Sequence, residues 1–139
     1  MKASHRPFVV VFVVFAAVMA VVGVSRWQAR EEIVPWRNDF SAARAEAASS
    51  GKPVFAYFTA EWCGPCYTMK STTWADRGVE EALRAYVPVR IDIDQNTPVA
   101  LQYDAQTIPM FAVLDGEGKV VKSMEGYVDA EQFLAWLKG

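Results

Sequence analysis

Apolar residues are distributed along this chain in three different ways, and each predicts a different kind of structure. Phe8 to Val24 reads FVVVFVVFAAVMAVVGV, 17 apolar residues without a charge. As a helix rising about 1.5 Å per residue it reaches about 26 Å, close to the roughly 30 Å of a bilayer's hydrocarbon core. From Arg26 to Pro35 the residues are polar and non-periodic, and they read as a tether. Beyond the tether, short apolar runs alternate with segments of helical spacing. Phe40, Ala43 and Ala47 predict a helix from a cap at Asp39 or Ser41 to about Ser49, stopped by Ser50-Gly51-Lys52-Pro53. Val54 to Thr59 is a continuous apolar run, as expected of a strand covered on both faces. A helix starting at or just after Cys63 should pass Met69 and end near Trp74, and a second should cover Val79 to Ala85. Val87 to Asp92 predicts a strand with Pro88 near its start. Asp94 to Asn96 then turns the chain, and Thr97 should cap a helix through Tyr103. Met110 to Leu114 and Lys119 to Met124 predict a hairpin about Asp115-Gly116-Glu117-Gly118. After Gly126, Asp129 should cap a final helix carrying Phe133, Leu134 and Leu137.

This order predicts an α/β fold: a mixed central sheet with one parallel pair, a C-terminal antiparallel hairpin and helices on both faces. Residues 1–30 are expected to be an N-terminal membrane anchor, or uncleaved signal, with its flanks; residues 31–139 are the folded domain. Lys2, His5 and Arg6 precede the apolar run, and Arg26 and Arg30 follow it, with Trp27 where an interfacial aromatic would sit. A cleavable signal is the alternative. Its apolar region usually spans about 7–15 residues and ends in a small-x-small pattern, which Gly23-Val24-Ser25 matches poorly. Both readings export the domain. The expected location is the cell membrane, single-pass through residues 8–24, with the folded domain on the periplasmic or extracytoplasmic side.

Charge divides along the same line. Residues 1–30 hold four Lys/Arg and no acid, so the remaining ten Lys/Arg face all sixteen Asp/Glu in residues 31–139, a net of −6. An acidic domain offers no electrostatic footprint for nucleic acid, which is excluded as a partner.

The chemistry lies in Trp62-Cys63-Gly64-Pro65-Cys66, which holds the chain's only two cysteines. Two thiols separated by two residues can close and reopen a disulfide and so carry an electron pair. A zinc site needs four ligands, and the only histidine, His5, is far from the motif; no metal and no cofactor are expected. A purely structural disulfide would close a four-residue loop, which is a weak staple. Cys63, at a helix N-terminus, should be the exposed attacking thiolate, stabilised by free N–H groups and the helix dipole. Cys66, one turn later, should be more buried and should resolve the mixed disulfide. Trp62 should shape the rim.

Ala60-Glu61-Trp62-Cys63-Gly64-Pro65-Cys66, followed by Thr107-Ile108-Pro109 with Pro109 43 residues after Cys66, resembles the thioredoxin family. Asp94-Gln95-Asn96 and Gly126 also fit, so the resemblance covers about residues 36–139. It implies a thioredoxin-like fold, a cis peptide before Pro109, Pro109 lying against Cys63, and a substrate strand pairing beside it. The substrate-contacting residues are then Trp62, Gly64, Pro65, Ile108 and Pro109, around catalytic Cys63 and Cys66. More narrowly, Ser71-Thr72-Thr73-Trp74, Val79-Glu80-Glu81-Ala82-Leu83 and Gly126-Tyr127-Val128-Asp129-Ala130-Glu131-Gln132-Phe133 are similar to the exported thioredoxin-like domain of DsbD-type thiol carriers. The multi-span electron-carrying part of such carriers is absent. Reducing equivalents would then come from a separate thiol donor, such as a membrane carrier, and pass to disulfide-bearing exported clients. Two positions depart from the pattern. Thioredoxins carry a buried acid six residues before the first cysteine, where this chain has Tyr57. DsbD-type domains carry an acid four residues after the second cysteine, where it has Lys70.

The expected activity is therefore protein-disulfide reduction by a thiol–disulfide oxidoreductase. Net oxidase or isomerase action, or a non-catalytic binding module on the same fold, are the alternatives. Gly-Pro between the cysteines resembles reducing members of the family, and intact Cys63, Cys66 and Pro109 weigh against a binding module.

Overall fold

Val54–Thr59 forms β1, and all six residues are buried, because strands lie on both its edges and helices cover both its faces. The structure is a computed structural model that describes the backbone of residues 6–26 and 30–139 and the side chains of 9–20 and 30–139. Its sheet has the order β2-β1-β3-β4. β2 (Val87–Asp92) runs parallel to β1 in the register Val54↔Val87 to Thr59↔Asp92. β3 (Met110–Leu114) pairs antiparallel on the other edge, and β4 (Val120–Glu125) completes the hairpin. The helices are α1 (Arg6–Arg26), α2 (Phe40–Ser50), α3 (Gly64–Ser71), α4 (Arg77–Leu83), α5 (Thr97–Gln102) and α6 (Ala130–Lys138).

Strand alternation sorts the core into two layers. Val54, Ala56 and Phe58 join Val87, Val89, Ile91, Met110, Ala112 and Leu114 under Ala43 and Ala47 of α2. Phe55, Tyr57, Phe111 and Val113 face the opposite way, toward Met69, Trp74, Val79, Leu83, Phe133 and Leu137. Local chemistry sets several boundaries as expected. The Asp39 carboxylate caps α2 by accepting from Ala42 N at 2.8 Å, and Gly51 closes that helix at φ 71°. Asp129 and Gln132 form a reciprocal capping box at α6.

Several expectations are corrected. The helix after the motif ends at Ser71 rather than near Trp74. Thr72, at φ −115° and ψ −88°, breaks it, and a separate 3-10 turn covers Thr73–Ala75. That break turns Trp74 into the core, where it is fully buried. The next helix starts at Arg77, two residues before Val79, because Asp76 caps it through Val79 N. Thr97 is not a cap but the first residue of α5, and its hydroxyl donates back to Ile93 O instead. The tether is shorter than its polarity suggests. Ile33 N donates to the Trp74 carbonyl, Val34 is buried, and Arg37 bridges to Val89 on the free edge of β2.

The apolar run lies in α1, and the anchor expected over residues 8–24 is described there by the side chains of Val9–Ala20, all exposed. Among the described residues no helix is long and apolar enough to cross a membrane. The readings placed on Lys2, His5 and Trp27, and on the side chains of Gly23-Val24-Ser25, lie outside the described residues.

Candidate active site

The apolar run of β1 delivers Ala60, Glu61 and Trp62 to the carboxyl end of the sheet, and α3 begins immediately afterwards. Cys63 is the N-cap of α3, in extended conformation at φ −82° and ψ 103°. Its Sγ accepts from the backbone N–H of Cys66 at 3.3 Å, so a sulfur takes the place of the usual Ser or Asp oxygen. Pro65 lies in the first turn and contributes no N–H, so the Cys66 amide is directed at the sulfur without a competing donor beside it. A hydrogen-bond donor and the positive helix end both favour the thiolate over the thiol. Cys63 and Cys66 are joined as a disulfide with a Cα–Cα distance of 5.3 Å, inside the ordinary span for such bonds.

Cys63 was expected to be exposed, and it is not. It is 4% exposed against 1% for Cys66, because both pack with Ala60 in a small cluster flanked by Ile93 and Ile108. What stands open beside it is Trp62, 67% exposed. The indole does not swing freely, since its Nε1 donates to Asp94 Oδ2 at 2.8 Å. Asp94 is held in turn by a tight turn in which Asp92 Oδ1 accepts from Asp94 N and Gln95 N. Gly64 and Pro65 are exposed on the same rim. A Cβ placed on Gly64 meets nothing within 4 Å, so the folded chain itself makes no demand for glycine there.

On the opposite side, the Ile108–Pro109 peptide is cis, as the resemblance implied. Pro109 is buried and Ile108 half-buried, with Ile108 packed against the cysteine cluster. The Pro109 carbonyl accepts from Gly126 N at 2.7 Å. Gly126 sits at φ 91°, a conformation other residues rarely adopt, which is the physical demand behind that glycine. Trp62, the cysteines, Ile108 and Pro109 thus converge on one end of the sheet.

The two departures have distinct surroundings. Tyr57 is fully buried, its ring 5.0 Å from that of Trp74 and 5.3 Å from that of Trp36. Its hydroxyl has no hydrogen-bond partner of good geometry, although Thr59 and Trp74 lie beside it, and burial pushes the phenol above its ordinary pKa. Lys70 is exposed and lines a solvent-open cavity of about 320 Å³ together with Glu32, Thr59, Ala60, Glu61, Arg90 and Asp92. Glu32 and Arg90 form an ion pair there. Sequence reasoning missed both, leaving Glu32 in the tether. The available signal was the apolar Ile33-Val34 and Trp36 that follow it, which dock the segment onto the domain.

Both the fold and the site have relatives among known proteins. The sequence model of a family described as thioredoxin-like matches residues 35–116. A thioredoxin-like protein of Synechocystis is 38% identical over 103 residues, 73% of this chain and 94% of that protein. A solution structure of a thioredoxin from Thermus thermophilus superposes with a TM-score of 0.68 at 27% identity, covering 76% of this chain and 85% of the other. The oxidised C-terminal domain of DsbD from Neisseria meningitidis superposes with a TM-score of 0.59 at 27% identity, covering 74% and 97%. With the family match, the cis-proline and the capped dithiol in agreement, this chain belongs to the thioredoxin-like family.

Proposed function

We propose that this protein is a membrane-anchored thiol–disulfide oxidoreductase that reduces disulfides of exported proteins through Cys63 and Cys66. The observation that carries the reading is the Cys63–Cys66 disulfide at the N-terminus of α3, with the Cys63 sulfur accepting from an amide and Ile108 packed beside the pair. Thioredoxins and DsbD, the kinds of protein it resembles, are thiol–disulfide oxidoreductases.

In the reduced protein the Cys63 thiolate attacks one sulfur of a client disulfide. A bond forms between Cys63 Sγ and that sulfur, and the other client sulfur leaves as a thiolate that takes a proton from water. Cys66 then loses its proton and attacks Cys63 Sγ. The internal disulfide closes, and the second client thiol departs. The client gains two electrons and the Cys63/Cys66 pair loses them, so a thiol donor must reduce the pair before the next cycle. A client strand is recognised between the Trp62 rim and the Ile108–Pro109 segment, with Gly64 and Pro65 exposed on the same rim. The reducing direction rests on Gly-Pro between the cysteines.

The anchor is residues 8–24, within residues 1–30 as a unit distinct from the 31–139 domain. Apolar side chains described on α1 are exposed all round it, including Phe12 at 78% and Phe15 at 64%. Such a surface is costly in water and natural in lipid. A thiol donor, such as a membrane carrier, re-reduces the pair; this chain matches DsbD of Actinobacillus pleuropneumoniae over 16% of that protein's length.

The test is reduction of insulin disulfides by the full chain, with the redox potential measured against glutathione. A reductant turns insulin over and has a potential near that of thioredoxins, about −270 mV. A potential near about −120 mV would make the protein an oxidase instead, and no turnover at all would leave a binding module.

A further inference from the structure

Within that reading, Cys66 must lose a proton, and the position that usually supplies a buried carboxylate holds Tyr57. Another carboxylate occupies the same neighbourhood. Tyr57 and Arg90 are register partners on the parallel strands β1 and β2, so their side chains share one face of the sheet. Glu32 reaches that face from the N-terminal segment. Ile33 N, bound to the Trp74 carbonyl, and buried Val34 hold the segment in place. One carboxylate oxygen of Glu32 takes the Arg90 guanidinium, while the other, Oε2, is buried without a partner. The Tyr57 hydroxyl, on the same face of the sheet, is the other unpartnered buried oxygen among the described residues. A buried polar oxygen left unpaired is costly, which calls for water at this point.

The cavity has room for that water. It is about 320 Å³, open to solvent, and walled by Glu32, Arg90, Thr59, Ala60 and Lys70. Ala60 clusters with Cys66, and Lys70 lies one helical turn beyond it, so two of the cavity's wall residues neighbour Cys66, which does not itself line the cavity.

We propose that Glu32, carried in by the N-terminal segment, is the carboxylate that accepts the Cys66 proton through cavity water. As Cys66 attacks Cys63 Sγ, its proton passes to water and on to the Glu32 carboxylate. The Cys63–client bond breaks, the Cys63–Cys66 bond forms, and the leaving client thiolate is protonated from solvent. Glu32 then returns its proton to bulk water through the open mouth of the cavity. Arg90 fixes one oxygen of Glu32 and leaves the other without a protein partner. The charged and titratable groups that face Glu32 are Arg90 and Asp92 on β2, Tyr57 on β1, Glu61 in the loop before α3, Tyr67 and Lys70 on α3, and Arg30 and Glu31 on its own segment. Asp92 is already committed to the turn amides, which leaves Glu61 as the competing acid on the cavity wall.

The experiment uses the reduced full chain in detergent and a stoichiometric amount of an aromatic disulfide reagent whose thiol product absorbs visible light. The first burst of colour reports attack by Cys63, and the second reports resolution by Cys66. In wild type the second phase should be nearly flat from pH 6 to 8. Glu32→Gln should leave the first phase unchanged and slow the second roughly ten- to a hundredfold at pH 7. Its rate should then climb with pH toward the ordinary thiol range near about 8.5. Glu32→Asp should restore the flat profile at a reduced rate, and Glu61→Gln should match wild type. A Glu32→Gln profile that coincides with wild type, a parallel slowing of both phases, or the same loss in Glu61→Gln would each overturn the proposal. Absence of the first phase in wild type would instead sink the oxidoreductase reading itself.

Discussion

The two faces of the sheet are built from the same strands but solve different problems. On the face under α2, the strands present Val54, Ala56, Val89 and Ala112, and the one buried tyrosine, Tyr103, donates its hydroxyl to the Gly118 carbonyl at 2.9 Å. No polar side-chain atom on that face is stranded among the described residues. The opposite face is aromatic: Trp36, Phe55, Tyr57, Trp74, Phe111 and Phe133 meet edge to face or tilted at 5.0–6.2 Å. There Tyr57, Trp36, Trp74 and Glu32 all keep a buried polar atom without a protein partner. Native interiors rarely tolerate four such atoms in one place unless water or chemistry uses them. One face therefore holds the sheet together, while the other both packs it and borders the solvent-open cavity lined by Glu32 and Arg90.

The sharpest break between scaffold and chemistry should come at the cysteines. Cys63→Ser should abolish mixed-disulfide formation with a client, whereas Cys66→Ser should accumulate it, because the resolving thiol is gone; non-reducing gels separate the two outcomes. Equal accumulation by both variants would refute the division into an attacking and a resolving thiol.

Next in size is the aromatic face. Phe133→Ala removes a fully buried ring that touches Phe55, Trp74 and Phe111, and should cost about 3–5 kcal/mol in denaturant unfolding. On the small-residue face the corresponding error is overfilling. Ala112→Leu places a larger side chain where the present one is fully buried, and should cost about 1–3 kcal/mol. If the two values came out reversed, the division of labour between the faces would be wrong.

Tyr57→Phe should be the mildest of the core changes. It deletes an unpartnered hydroxyl and keeps the ring, so stability should move by less than about 1 kcal/mol, with a gain the expected sign where no water bonds the phenol. A loss of several kcal/mol would show that the hydroxyl is firmly bonded.

The smallest effect lies outside both faces, at the β3–β4 turn. The Asp115 carboxylate accepts from the Lys119 and Glu117 amides, foremost from Lys119, and is held below its ordinary pKa. A depressed folded-state pKa gives stability that is present above the ordinary carboxylate range and lost as pH falls through the lower value. Asp115→Asn should therefore lower the melting temperature slightly at neutral pH and flatten the acid limb, the two proteins converging below about pH 4. Melting scans from pH 2 to 7 provide the comparison.

Legibility in the sequence followed the range of the interactions. The strands Val54–Thr59 and Val87–Asp92, the Asp39 and Asp129 caps, the hairpin turn and the dithiol at a helix start all rest on neighbours a few residues apart, and they read directly. The cis peptide at Pro109 was legible only through family resemblance, since Ile-Pro alone is an ordinary dipeptide. Tertiary contact decided the rest. Thr72 breaks the helix so that Trp74 can enter the aromatic core, and Cys63 is covered because Ala60, Ile93 and Ile108 close over it from three separate segments. Glu32 looked like part of a polar tether because nothing nearby in sequence reveals Arg90, 58 residues away. A residue's partner across the fold sets whether a charge is solvated or buried, and local pattern does not carry that information.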